Sequence, residues 1–222
     1  MRADQLKTLE PPLLVRERAV EQVRSAIISG ELAPGTRLIE RELCAALGIS
    51  RASVREMVRL LQAERLIEVE PRRGPTVAIL SRKQAAEIYE VRGMMESLLV
   101  QRFTEHATGD DIAVLLEIFA QVKAAAADSA PQRIVALMQR FNAHLMAVAQ
   151  HAIAREILDG LNARISWLRL RAMSKPGRTE TSLGEMGAVL EAVARREPER
   201  AAKLMGESVA NACRAALEQL PG

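Results

Sequence analysis

A short segment with the pattern of a β-hairpin lies between helical patterns, and it limits the folds that this chain can adopt. Residues 66–69 and 76–79 are two β-capable runs on either side of a turn rich in proline and glycine. Two such runs around such a turn predict a β-hairpin. Hydrophobic residues make up 49% of the chain but aromatic residues only 2%. The core must therefore be aliphatic, which favours packed helices over a β-sandwich around this hairpin.

Three helices are predicted before the hairpin, at residues 13–29, 39–47 and 51–64. In each of them, apolar residues recur at the three- and four-residue spacing of a helix. Glycines end the first two helices, and Ser50 is a suitable N-cap for the third. Three helices followed by a hairpin are the elements of a winged helix-turn-helix.

After residue 81 the pattern consists of six long helices. We therefore expect a mostly α chain with an N-terminal winged helix-turn-helix (three helices plus a β-hairpin) followed by a six-helix antiparallel bundle. The predicted domains are a flexible arm at 1–12, a winged helix-turn-helix domain at 13–80, and a helical domain at 81–222. The predicted bundle helices span residues 82–107, 109–126, 131–149, 152–173, 180–196 and 198–219.

Long, donor-rich side chains lie where a helix-turn-helix would meet DNA. This motif places the N-terminal end of its second helix in the major groove, and Arg51 and Arg55 lie there, one turn apart. A guanidinium group can donate two hydrogen bonds to the O6 and N7 atoms of guanine. The alternative is that these arginines only form a solvated face. The predicted DNA-binding set is Arg41, Ser50, Arg51, Ser53, Arg55, Arg72, Arg73 and Gly74.

Charge and composition exclude few other classes. A net charge of +3 is compatible with nucleic acid but does not require it. Cys44 and Cys213 lie far apart in helical patterns, which fits a reducing compartment better than a disulfide framework. The sequence has no apolar run of about 18–20 residues and no signal-peptide core. We expect a cytoplasmic protein with no membrane partner.

The DNA-binding features resemble a known family. Gly30, the Pro-Gly turn at 34–35, Glu-Arg-Glu-Leu at 40–43, Ser50-Arg51 and Val-Arg-Glu at 54–56 occur in order at fitting spacings. The run from Ile28 to Val77 thereby resembles the winged helix of the GntR regulators. The resemblance implies that two copies, as a homodimer, bind a palindromic operator in double-stranded DNA. It also implies that DNA is contacted by Arg41, Arg51, Ser53, Arg55 and the wing at Arg73 and Gly74.

The helical region is similar to the effector domain of the FadR-like GntR subfamily. This similarity implies an effector-binding and dimerisation domain at 81–222, behind the DNA-binding domain at 13–80. The phrases that carry this similarity are EIYEVRGMME at 87–96, RFNAHLMAVA at 140–149 and EMGAVLEAVARREPERAA at 185–202. In many members, one Asp and three His bind a divalent metal inside the bundle. An alignment on Phe141 places other residues at those four positions, namely Met138, Asn142, Met186 and Ser208. These are not ligands for a hard metal, so we expect no cofactor and no divalent metal.

The histidines offer no clear replacement for those ligands. His144 lies about 200° around its helix from Asn142, so we expect it to point away from the inner stripe. A register shifted by two residues would place His144 at a ligand position, but Arg140 would then replace the Asp. His106 ends a helix, where we expect it to be solvated.

An effector must then be held by protein groups. Tyr89, Arg92 and Glu96 fall on one face of the first bundle helix, and two polar residues lie in apolar stripes, where a buried polar group needs a partner. The predicted pocket consists of Tyr89, Arg92, Glu96, Met138, Asn142, Met186 and Ser208. The alternative is that Arg92 and Glu96 form an ordinary ion pair while the methionines fill the core. Three residues could flank either the pocket or a dimer contact, and the sequence does not decide between these places: Trp167, Arg169 and Arg171.

These patterns predict a DNA-binding transcription regulator. We expect a repressor that a small organic metabolite releases from its operator. The alternative is a DNA-binding regulator whose helical domain only dimerises and binds no effector. The sequence has no nucleophile–base pair, no paired carboxylates on one stripe and no glycine-rich phosphate loop. An enzyme is therefore not expected.

Overall fold

The structure, a computed structural model, describes residues 12–70, 73–128, 131–173 and 177–220. Internal contacts divide the chain into two compact units, and the division lies between Ile79 and Leu80. Nine helices and one two-stranded sheet are found in the described residues. The helices of these ranges lack the combination of length and apolar character that crossing a bilayer requires.

The first unit contains the predicted three helices and hairpin. The strands are antiparallel, with Ile67 opposite Val77 and Glu70 opposite Gly74. The proposed arm at 1–12 lies outside the described residues except for Pro12, where the first helix begins. The elements are α1 (Pro12–Ile28), α2 (Glu40–Leu47), α3 (Arg51–Ala63), β1 (Ile67–Glu70) and β2 (Gly74–Val77).

A small aliphatic core and one ion pair hold this unit together. Met57 and Leu61 on α3 are fully buried, which matches the inward face of an amphipathic helix. Arg24 on α1 donates from Nε and Nη2 to the two carboxylate oxygens of Glu64, at 2.8 and 2.6 Å. Its hydrogen bond to Glu64 raises the pKa of Arg24 above the ordinary value. The pair joins α1 to the C-terminal end of α3.

The segment before α2 pairs with the hairpin, which the sequence pattern did not predict. Val77 donates its backbone N–H to the Thr36 carbonyl at 2.9 Å, and Leu38 donates to the Pro75 carbonyl at 2.8 Å. A single β-bridge joins Arg37 to Thr76. One bridge is too short to give an alternating pattern in the sequence. Its effect is to fasten the hairpin to the start of α2.

The second unit is the predicted bundle of six helices. Each helix end agrees with the prediction to within two residues. Good capping residues explain this agreement at α4 and α5, because Ser81 and Thr108 both form capping boxes. The helices are α4 (Arg82–His106), α5 (Gly109–Ala127), α6 (Pro131–Ala149), α7 (Ala152–Met173), α8 (Arg178–Ala194) and α9 (Pro198–Leu217).

Small residues allow α4 and α9 to pack closely. A Cβ atom added to Gly206 would lie 3.2 Å from the Ser97 hydroxyl. The same hydroxyl donates to the Ala202 carbonyl at 2.9 Å. Phe103 and Phe141 are fully buried in the bundle core. Tyr89 and Phe119 are buried there as well, and the rest of the core is aliphatic or methionine, in keeping with the low aromatic content.

Candidate functional site

The start of α3 presents an arginine to solvent. Ser50 precedes the helix in an extended conformation, and its hydroxyl accepts the backbone N–H of Ser53 at 3.1 Å. This is an ordinary N-cap, and it fixes the first residue of the helix as Arg51. Arg51 is exposed, and so is Arg55 one turn later. The helix end that the motif would place in a groove therefore carries two accessible guanidinium groups.

Acidic neighbours hold some of these arginines in place. Arg55 donates from Nε to a Glu40 carboxylate oxygen at 3.2 Å, although 68% of its side chain stays exposed. Arg59 continues the same spacing along α3 and lies 3.6 Å from Glu56. Arg59 is not in the predicted DNA-binding set. Arg41 is exposed on α2.

The hairpin turn adds one described arginine. Arg73 has a 78% exposed side chain and lies 3.3 Å from the Glu70 carboxylate. Gly74 has a φ of +77°, and no atom lies within 4 Å of an added Cβ. The glycine is thus needed for its left-handed backbone and not for space. Arg72, which the sequence also assigned to DNA, lies outside the described residues.

A cationic group is buried in the bundle. Arg92 is 5% exposed and donates from Nε and Nη2 to one oxygen of Glu96, at 3.0 and 2.5 Å. Its guanidinium carbon lies 5.0 Å from the centre of the Tyr89 ring. The three predicted residues of this face of α4 therefore lie close together. The ion pair between Arg92 and Glu96, which was the alternative explanation for this face, is also present.

A second arginine reaches this group from α7. Arg169 donates to the Asn162 side-chain oxygen at 3.4 Å. Burial lowers the pKa of Arg169, and the positive charge of Arg92 lowers it further. Burial raises the pKa of Tyr89, while both guanidinium groups oppose that rise. We call Tyr89, Arg92, Glu96 and Arg169 the arginine cluster.

Ser208 belongs to a different polar group. One oxygen of Glu185 accepts from Asn211 at 2.7 Å, and the other accepts from Ser208 at 3.2 Å. Arg178 donates to both oxygens, at 3.3 and 3.4 Å. Ser208 is thus hydrogen-bonded to Glu185, a residue that the prediction did not include. Within this group the positive charge of Arg178 balances the negative charge of Glu185.

The other predicted pocket residues lie on α6 and α8. Met138 and Met186 are partly buried and pack against the apolar core of the bundle. Asn142 is partly buried on α6. Both methionines therefore contribute to packing, as the alternative explanation for them proposed.

The expectation for His144 was wrong. Its Nε2 lies 2.9 Å from the Asp111 carbonyl oxygen, and its ring meets Phe103 edge-on at 5.9 Å. The helix α6 packs against both α4 and α5, so its buried arc is wider than the single stripe used for the prediction. Within the described ranges, no group of three or more His, Cys, Asp or Glu residues is placed to share a metal ion.

Comparisons with known proteins agree with this division of the chain. Residues 15–77 match the bacterial regulatory proteins of the gntR family, and residues 87–211 match the FCD domain. An uncharacterized HTH-type transcriptional regulator of Bacillus subtilis (strain 168), YdhC, is 27% identical over 181 residues, which are 81% of each protein.

Two further comparisons cover different extents of the chain. The gluconate operon transcriptional repressor of Bacillus licheniformis is 34% identical over 106 residues, 48% of this chain and 43% of that protein. The solved structure of E. coli McbR/YncC has the same fold, with a TM-score of 0.78 at 22% identity over 92% of this chain and 98% of that one. Since the FCD domain alone spans more than half of the residues, the chain belongs to the GntR family of transcription regulators, with an FCD effector domain behind its winged helix, and is not an enzyme.

Proposed function

We propose that two copies of the chain bind a palindromic operator and repress transcription until a small organic metabolite binds to the helical bundle. The observation that carries the DNA-binding part is the pair of exposed arginines, Arg51 and Arg55, at the start of α3. Each can bond guanine bidentately, with about 1–3 kcal/mol of discrimination. A bacterial protein with this task works in the cytoplasm. The name of the gluconate operon repressor supports the repressing direction.

The pairing of two copies is supported by exposed apolar side chains on two bundle helices. Ile153 on α7 is 62% exposed, and Ile157 lies one turn further along that helix. Met94 on α4 is 60% exposed. Exposed apolar groups of this size favour burial against a second protein surface. A second copy of the chain fits, because a palindrome is bound by two symmetric heads.

Effector binding without a divalent metal is supported by the donor chemistry of the bundle. Met138 and Met186 offer only neutral thioethers, which suit a soft metal and not a hard one. Ser208 already donates to Glu185. Protein side chains must therefore hold the effector directly, and the arginine cluster contains the donors to do so.

A DNA titration with Arg51→Ala tests this proposal. A duplex that carries the promoter of a neighbouring gene, and a scrambled duplex, are titrated with wild type at several salt concentrations. We expect Arg51→Ala to lose about 5–150-fold in preference for the promoter, because one bidentate guanine contact is removed. Arg200→Ala, which changes an exposed arginine on α9, is the matched control and should bind as wild type does.

Native mass spectrometry of the same complexes reports their stoichiometry. Two chains per duplex are expected for a palindromic operator. Equal preference for the promoter by wild type and Arg51→Ala would refute the proposed contact. A single chain per duplex would refute recognition as a dimer.

A further inference from the structure

One ion pair joins the two helices of the helix-turn-helix. Arg55, in the second turn of α3, donates from Nε to a carboxylate oxygen of Glu40, the first residue of α2, at 3.2 Å. The two residues are 15 positions apart in the chain. By comparison, Arg59 pairs with Glu56 within α3 itself. The contact between Glu40 and Arg55 therefore depends on how the turn places α2 against α3.

The backbone between the two helices holds these side chains within reach of each other. Gly48 ends α2 with a φ of +64°, a left-handed value that suits glycine. Ser50 then caps the start of α3 with its hydroxyl. Both ends of this short connection are thus defined, and they fix the positions from which Glu40 and Arg55 meet.

The exposure of this pair argues against a mainly stabilising role. The side chain of Arg55 is 68% exposed and that of Glu40 is 36% exposed. Pairs as exposed as this one contribute little to the free energy of unfolding, because solvent screens the attraction. A carboxylate in this place also repels the phosphates of an approaching duplex. We therefore look for the role of Glu40 in its effect on Arg55.

The hydrogen bond leaves the end of the Arg55 guanidinium group available. A guanidinium group has five N–H donors in one plane, and Glu40 accepts the one on Nε. The Nη1 and Nη2 atoms can still donate together to O6 and N7 of a guanine base. Glu40 thus occupies the inner edge of the group and orients its outer edge.

We propose that Glu40 is a positioning residue, which holds the Arg55 guanidinium group in the orientation that contacts a guanine base. This inference rests on the proposed function, because it takes Arg55 to be a base contact. An exposed arginine without a partner samples several side-chain conformations and must be ordered when it binds. With Glu40, part of this ordering is complete before DNA arrives. The gain applies only where the correct base is present, so it raises preference for the operator.

Titration of the promoter duplex and the scrambled duplex with Glu40→Ala tests the proposal. The readout is the Kd for the scrambled duplex divided by the Kd for the promoter, because removal of a negative charge tightens binding to both duplexes alike. We expect Glu40→Ala to lower this ratio by about 2–12-fold, which is the cost of ordering one arginine side chain. Glu42→Ala is the matched control, since it removes a charge from the same first turn of α2 and should keep the wild-type ratio.

A double-mutant cycle with Arg55→Ala separates positioning from a merely structural role. In the Arg55→Ala background, Glu40→Ala should cause no further loss of preference, because no guanidinium group is left to orient. An undiminished loss in that background would overturn the inference, and so would a wild-type ratio in Arg55→Ala. Circular dichroism verifies folding. If Glu40→Ala does not fold, Glu40→Asp takes its place with the same expectation, because it keeps the charge at the helix start and shortens the reach by one methylene.

The outcomes separate this inference from the proposed function. Arg51→Ala, measured beside these variants, is the readout for the regulator itself. A wild-type ratio in Glu40→Ala together with a lowered ratio in Arg51→Ala would refute the positioning role and leave the regulator intact. A wild-type protein that does not distinguish the two duplexes would refute both.

Discussion

Arg24 and Glu64 form the best-defined ion pair of the DNA-binding unit. Glu64 caps the C-terminal end of α3, where the helix dipole disfavours a negative charge. Arg24 neutralises that charge with two parallel hydrogen bonds, at 2.6 and 2.8 Å. The two hydrogen bonds fix the position of the carboxylate in addition to neutralising its charge. A single residue on α1 thus stabilises the far end of the recognition helix.

We expect Glu64→Gln to lower the free energy of unfolding of this unit by about 0.5–1 kcal/mol. Both partners are partly exposed, so solvent screening keeps the value near the range of surface pairs. Urea titration followed by far-UV circular dichroism measures it, since the only tryptophan, Trp167, lies in the bundle. Glu21→Gln is the control, because Glu21 also contacts Arg24 but from a more exposed position. An equal loss in both variants would contradict the specific role of Glu64.

Single residues were predictable where local sequence determines their surroundings. Arg51 and Arg55 follow from the N-cap at Ser50 and from helical spacing, and both are exposed as expected. Arg169 could not be placed in the same way. Its position beside Arg92 depends on how α7 packs against α4, which no spacing within α7 encodes. The donors of the candidate effector site were therefore only partly identified from the sequence.

The start of α5 shows how one element is fixed by its first turn. Thr108 accepts the backbone N–H of Asp111 at 3.1 Å, and the Asp111 carboxylate accepts from the Thr108 backbone N–H at 2.8 Å. The Thr108 hydroxyl also donates to that carboxylate at 2.6 Å. These hydrogen bonds hold the pKa of Asp111 below its ordinary value. The ionised carboxylate is therefore the form that stabilises the helix.

Stability should depend on pH through Asp111. Its pKa is lower in the folded chain than in the unfolded one, so the stabilisation is complete above the unfolded value of about 3.9 and is lost as pH falls further. We expect Asp111→Asn to be less stable than wild type near neutral pH, with a difference that shrinks below about pH 4. Asp110→Asn, in the same turn, is the control for charge at the helix end. A difference that stays constant across this range would contradict the capping role.

Elements were predicted well because their ends are marked by strong signals. Glycines, prolines, the N-cap at Ser50 and the acidic first turn of α5 placed the helices to within two residues. The features that the sequence pattern did not predict are contacts between elements. The bridge at Arg37 depends on the hairpin that it joins, and the inward position of His144 depends on two helices packing against α6. A periodicity calculation on one helix assumes one buried stripe, and α6 has two neighbours on different sides.

At the scale of the molecule, the two units place their charge differently. In the winged helix the arginines of α3 and the described wing residue Arg73 are exposed and available to a polyanion. In the bundle, Arg92 is withdrawn from solvent and Arg169 is partly buried, so bulk water competes less with a ligand there than at the exposed arginines. The net charge of +3 conceals this division. The same residue type is therefore exposed in one unit and withdrawn from solvent in the other, which agrees with the two proposed binding modes.

The four bundle positions that align with the metal ligands of many family members provide a test at the scale of the molecule. Wild type should show the same Tm in EDTA, Mn²⁺, Ni²⁺ or Zn²⁺, because Met138, Asn142, Met186 and Ser208 do not supply a hard-metal site. The family resemblance places these four positions around one ion. A variant with Met138→Asp, Asn142→His, Met186→His and Ser208→His should therefore gain a rise in Tm with these ions, as one carboxylate and three imidazoles are suitable ligands.

A variant that lacks only the Met138→Asp change is the matched control for this design and should respond more weakly to the same ions. Elemental analysis that finds one metal per wild-type chain would contradict the expectation. Such a result would require ligands other than those four positions.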